Sequence, residues 1–283
     1  MLNPTYAVIA SLIWAFSPIY YRTFMKRFDF LSLNFARTVL ASVVLAVPAL
    51  IYGGGGDAKA VSFALLSGLV TLGLGDSLFL LSIGEMGASV ATPVVYTYVL
   101  LVQLTAGAVG ETVPLANVAA ALMIVVGVYL LSRGGNGRPR AKGMTMAVAA
   151  AVVWTLGQDL IRLATGAGGS ALAVAFLRNM AAAVALGAAM IATKGYRKWP
   201  RGISGKDYGI IAAIAVSDLS LGSLLYVYSI SIIGIAGTVI FTSISPLLTQ
   251  IFSRALGKER PSRTDFLGGA FIVVALLTAV LVQ

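Results

Sequence analysis

Ten apolar segments, each near the length of a bilayer crossing, run through the 283-residue chain at roughly 4–21, 30–52, 60–83, 87–109, 113–132, 143–163, 170–193, 206–230, 234–255 and 264–282. A spanning helix needs ~20 mostly apolar residues. Turn chemistry marks the breaks, as at Gly53-Gly54-Gly55-Gly56, Gly134-Gly135-Asn136-Gly137, Gly166-Ala167-Gly168-Gly169 and Trp199-Pro200-Arg201-Gly202. Only 11% of the residues are charged and 59% are hydrophobic. Such a chain cannot cover a globular surface with polar groups, so lipid must be its solvent. The expectation is an all-α membrane protein of ten transmembrane helices.

Cysteine and histidine are both absent. This excludes disulfides, thiolate or imidazole metal sites, and nucleophilic cysteine or histidine acid–base chemistry. No catalytic group, metal or cofactor is expected. The first apolar run meets Arg22, Lys26 and Arg27 with no small-residue cleavage site between, and reads as a first transmembrane helix that stays.

The two halves resemble each other in order. Trp14 answers Trp154, Phe35-Ala36-Arg37 answers Phe176-Leu177-Arg178, and Gly75, Ser82 and Gly87 answer Gly222, Ser229 and Gly234. Gln103 answers Gln250, and Gly110-Glu111 answers Gly257-Lys258-Glu259. The reading is a first five-helix repeat over 1–135, a basic linker over 136–142 and a second over 143–283. Five is odd, so the second repeat must be inverted relative to the first. The net charge of +10 fits this: of the twenty lysines and arginines, only Lys59 and Arg162 fall in the opposite set of loops and only Arg37 and Arg178 inside spans. Lysine and arginine mark cytoplasmic loops. The basic loops are therefore expected in the cytoplasm and both termini outside, in a cell (plasma) membrane. Anionic headgroups, not nucleic acid, account for the charge.

Ionisable groups inside a membrane cost roughly 2.5–3.5 kcal/mol each on insertion scales. Arg37, Asp76, Arg178 and Asp218 therefore need a reason. Either they form a central polar site, with arginines gripping a carboxylate or phosphate and aspartates holding an amine or a coupling proton, or they neutralise one another and pin helices together. Trp14 and Trp154 lie near the midplane, where they can stack on a solute or simply pack. Tyr96, Tyr98, Tyr226 and Tyr228 bring hydroxyls that need partners. Asp159 is expected to pair with Arg162 one turn on. Glu111 and Glu259 are expected to cap neighbouring helix starts.

The paired Trp14 and Trp154, Phe35–Arg37 and Phe176–Arg178, the small–polar runs Gly84–Thr92 and Ile233–Thr242, and Gly110-Glu111 with Gly257–Glu259 resemble the EamA-type transporters of the drug/metabolite transporter superfamily. The resemblance covers nearly the whole chain. It implies secondary transport of amino acids, other small metabolites or drugs, with export favoured over uptake, and fifth spans that can mediate a homodimer. The small multidrug pumps of this superfamily carry a glutamate in the first helix, where this chain has Trp14 and no acid. The expected partners are a small-molecule substrate and membrane lipid, with a monomer or homodimer as the functional unit. The substrate site is expected from Trp14, Arg37, Asp76, Tyr96, Trp154, Arg178 and Asp218, with Asp76 and Asp218 as candidates for coupling to a proton. Two rivals remain at this point. Gly73-Leu74-Gly75-Asp76 spells the GxGD string of intramembrane aspartyl proteases, although Pro48-Ala49-Leu50 precedes it rather than follows. A non-transporting membrane scaffold is the other.

Overall fold

The computed structural model describes residues 4–134, 141–200, 202–256 and 263–281. The linker residues 136–140, the Gly257-Lys258-Glu259 motif with the expected Glu259 cap, and Arg201 and Arg260 lie outside them. The described chain is helical: α1 Thr5–Phe24, α2 Phe30–Tyr52, α3 Ala58–Met86, α4 Ala88–Val109, α5 Leu115–Gly134, α6 Ala141–Gly166, α7 Ala171–Ala192, α8 over 205–233, α9 over 235–255 and α10 Arg263–Leu281. Six stretches are long and apolar enough to cross a membrane by length and composition: α2, α3, α4, α6, α7 and the stretch Gly205–Thr242, which holds α8 and the first part of α9.

The helix starts follow from local chemistry. Asp29 accepts from the backbone N–H groups of Leu31 and Ser32, Asp57 from Ala60, Ser170 from Ala173 and Ser204 from Asp207. Each satisfies a donor that a first helical turn leaves orphaned. Gly87 and Gly234 break the chain between α3 and α4 and between α8 and α9, with φ of 86° and 74°. That left-handed geometry is costly for any residue with a Cβ.

Contacts gather the loops at two ends. At one end Ser170 N–H donates to the Gly54 carbonyl (2.9 Å), and Arg162 pairs with Glu111 at the start of α9 (2.6 Å). At the other end Arg27 pairs with Asp207 (2.8 Å) and Lys142 with Glu85 (2.9 Å). Large apolar side chains such as Val43, Val47, Leu50, Leu122, Val184 and Leu277 point outward. Arg37, Arg178, Asp76, Asp218, Asn34, Asn179 and many serines and threonines are buried. An apolar outside around a polar inside is the arrangement that lipid, rather than water, stabilises. α5 and α10 pack together, so closely that a Cβ on Gly127 would stand 2.7 Å from the Gly268 carbonyl oxygen.

Candidate functional site

α3 and α8 each widen for about two turns into a π-helix, over Gly68–Gly75 and Val216–Gly222. π segments shift the backbone register, and the carbonyls they displace need new partners. Asparagines supply them. Asn34 of α2 donates to the Leu72 carbonyl (2.7 Å), and Asn179 of α7 donates to the Leu219 carbonyl (3.0 Å). Each widened segment ends in a glycine covered by a tryptophan from the other half of the chain. A Cβ on Gly75 would lie 2.5 Å from Trp154, and one on Gly222 2.6 Å from Trp14. The packing thus needs both glycines, and it carries Asp76 and Asp218 to the centre of the molecule.

Arg37 is the hub of one charged cluster. Its Nη2 lies 3.0 Å from Asp218 Oδ2 and 3.3 Å from Asp76 Oδ2, and its guanidinium sits 4.1 Å over the Tyr21 ring. Asp218 Oδ2 also accepts from the Tyr21 hydroxyl. Trp154 Nε1 donates to Asp76 Oδ1 (3.1 Å), and Trp14 Nε1 to the Asp218 carbonyl (3.1 Å). Arg178 is as buried as Arg37 (2% and 3% exposed) but differently served. Its Nη1 lies 3.3 Å from Ser223 Oγ, and no carboxylate among the described residues stands within ion-pair distance.

These groups line one cavity of about 80 Å³. That is well above the ~10–15 Å³ a cavity needs to admit a water. All seven residues singled out in the sequence border it: Trp14, Arg37, Asp76, Tyr96, Trp154, Arg178 and Asp218. Rings form much of the wall, with centroids at 4.9 Å for Trp14–Tyr226, 5.3 Å for Phe79–Trp154 and 5.7 Å for Tyr98–Trp154. Tyr21, Gln158 and Ser223 also border it and were not singled out. Helical spacing held the signal for two of them, since Tyr21 lies seven residues after Trp14 and Gln158 four after Trp154 on the same faces.

A model of the EamA-like transporter family matches residues 3–133 and again residues 141–281. This chain belongs to the EamA-like transporter family. It is 26% identical over 284 residues, covering 99% of both chains, to a protein of Archaeoglobus fulgidus described as an uncharacterized transporter. A solved structure described as "Crystal structure of protein" superposes with a TM-score of 0.76 at 19% identity, covering 98% of this chain and 96% of that one, and shares the fold. As an EamA-like protein the chain is a multi-pass membrane transporter.

One expectation needs correction in this EamA-like fold. Asp159 does not pair with Arg162; it accepts from Thr105 Oγ1 (3.1 Å), while Arg162 turns to Glu111. The second acid is the better partner because its two oxygens also cap α9, accepting from Ile235 N–H (2.8 Å) and Ala236 N–H (3.1 Å). Glu111 therefore does cap a neighbouring helix. It fits because Gly234 has no side chain: a Cβ there would stand 2.7 Å from Glu111 Oε1. Tyr228 is 43% exposed and meets Tyr6 edge-on, away from the cavity. As for the GxGD string, Asp76 and Asp218 bracket a guanidinium. A proton-sharing carboxylate dyad relies instead on direct repulsion between its two acids.

Proposed function

We propose that this chain is a secondary active transporter of a small zwitterionic metabolite, an amino acid or similar solute, working by alternating access in the plasma membrane. The observation that carries the reading is the composition of the cavity. Two arginines and two aspartates border it, and their formal charges cancel. A cavity of balanced but separated charge suits a solute that is itself neutral overall and charged at both ends.

The working arrangement is ten spans in two inverted five-helix halves, with the cavity between them. Every device at the centre occurs twice: a π segment, an asparagine under it, a glycine at its end and a tryptophan from the opposite half. Inverted repeats of this kind exchange roles when one face closes and the other opens. The contacts between halves are the parts that must change. Arg37 to Asp218 is one at the centre, and Glu111 to Arg162 and to the start of α9 is one at an end. Proton coupling would act through Asp76 or Asp218, because neutralising either weakens the ionic tie around Arg37. Export is the direction the family favours, and the charge bias supports basic loops in the cytoplasm with the termini outside. A homodimer through the outer α5–α10 pair is compatible with this arrangement, as is a monomer.

Counterflow into proteoliposomes tests the reading. Vesicles preloaded with an unlabelled amino acid mixture should accumulate labelled amino acids faster than empty vesicles. No accumulation for any amino acid, with the protein correctly inserted, would remove the substrate class.

A further inference from the structure

The two buried arginines sit at matching positions of the two halves, and the same repeat register identifies what faces each. Aligning Gly75 with Gly222 places Asp76 opposite Ser223 and Thr71 opposite Asp218. The contacts follow that register. Arg37 reaches Asp76 in its own half, and Arg178 reaches Ser223 in its own half at the same 3.3 Å. Arg37 reaches Asp218 across the halves, and the residue that stands in that place for Arg178 is Thr71. Both carboxylate positions around Arg37 have thus become hydroxyls around Arg178.

We propose that Arg178 is the anion anchor of the site, holding the carboxylate of the transported solute with Ser223 and Thr71 hydroxyls beside it. The inference rests on the transporter reading and deepens it. The orphaned polar atoms support it. Arg178 Nε, Thr71 Oγ1, Thr92 Oγ1 and Gln158 Oε1 are buried without a hydrogen-bond partner among the described residues, and all four residues border the one cavity. Arg37 also leaves its Nε unpaired, but both of its carboxylates are in place. A buried guanidinium met only by a neutral hydroxyl at 3.3 Å is a poor end state, and a carboxylate supplies what the chain withholds. The anchor is also fixed in position. α3 crosses α7 at Arg178 so closely that a Cβ on Gly68 would stand 2.1 Å from the Arg178 carbonyl oxygen. The ammonium end of the solute then faces the Gln158 Oε1 acceptor and the Asp76 carboxylate, which Trp154 orients.

The test compares amino acids with their carboxamides, in which only the negative charge is lost. Thermal-shift titration of the purified full chain should show stabilisation by one or more amino acids, with the matched amide on the order of 100-fold weaker. Arg178→Met should lose the difference between acid and amide, and Arg178→Lys should keep part of it. Arg178→Met without solute should melt no lower than the wild type, which separates loss of a ligand group from loss of fold. If amino acids and amides stabilise the wild type equally, or Arg178→Met still distinguishes them, the anchor is wrong and the transporter reading stands. If labelled amino acids neither bind nor exchange, both fall together.

Discussion

Arg37 and Arg178 are the same residue type at the same place in two copies of one helix arrangement, yet one is closed and the other open. Arg37 has a carboxylate on each side and an aromatic face beneath it. Arg178 has a serine hydroxyl. The scaffold is shared down to the π segments and their asparagines, so the difference lies in a few side chains. A repeated fold can in this way give one copy a tie between helices and leave the other copy free to meet a solute.

The largest expected effect breaks the closed side. Arg37→Ala leaves Asp76 and Asp218 buried without their counter-ion and should cost about 3–5 kcal/mol of stability. Arg178→Met removes a cation that has no carboxylate partner among the described residues and should leave the melting temperature in detergent near that of the wild type. Equal losses from the two substitutions would make both arginines structural.

Next come the asparagines, where the halves should behave alike. Asn34→Ala and Asn179→Ala each remove the donor to a π-segment carbonyl, and each should cost about 1–3 kcal/mol by denaturant or thermal unfolding. A strongly unequal pair would mean that the two π segments are held differently.

A smaller effect is expected at one end of the molecule, where Glu111 meets Arg162 and the start of α9. Glu111→Ala removes two cap hydrogen bonds and the Arg162 partner. It should cost about 0.5–2 kcal/mol. It should also speed solute exchange relative to binding if opening that end limits turnover. Unchanged exchange would make the cap purely structural.

Much of this is legible in the amino-acid sequence. Hydropathy and turn residues placed α2 at 30–52, because a spanning helix declares itself by length and composition. The helix α3 was longer than expected at both ends, since Asp57 caps it and Glu85 belongs to it. Asp76 and Arg178 stood out because a charge inside a span needs a reason. What the sequence could not state was which acid serves which arginine. The pairing depends on helix rotation, and π segments change rotation in a way that a regular 3.6-residue period does not encode. Asp159 shows the same limit: the i, i+3 neighbour was visible, but Glu111, distant in sequence, became the partner of Arg162. Ser223 is recognisable only from cross-helix contacts, whereas the spacing of Tyr21 from Trp14 and of Gln158 from Trp154 is already in the sequence.

The most direct measurement gives the open arginine the partner that the closed one already has. Ser223→Asp places a carboxylate where Asp76 stands in the other half. Amino acid counterflow and melting temperature would be measured on the same preparation. The account predicts that the variant melts at or above the wild-type temperature while exchange is lost. A folded Ser223→Asp protein that exchanges solute as well as the wild type would contradict it.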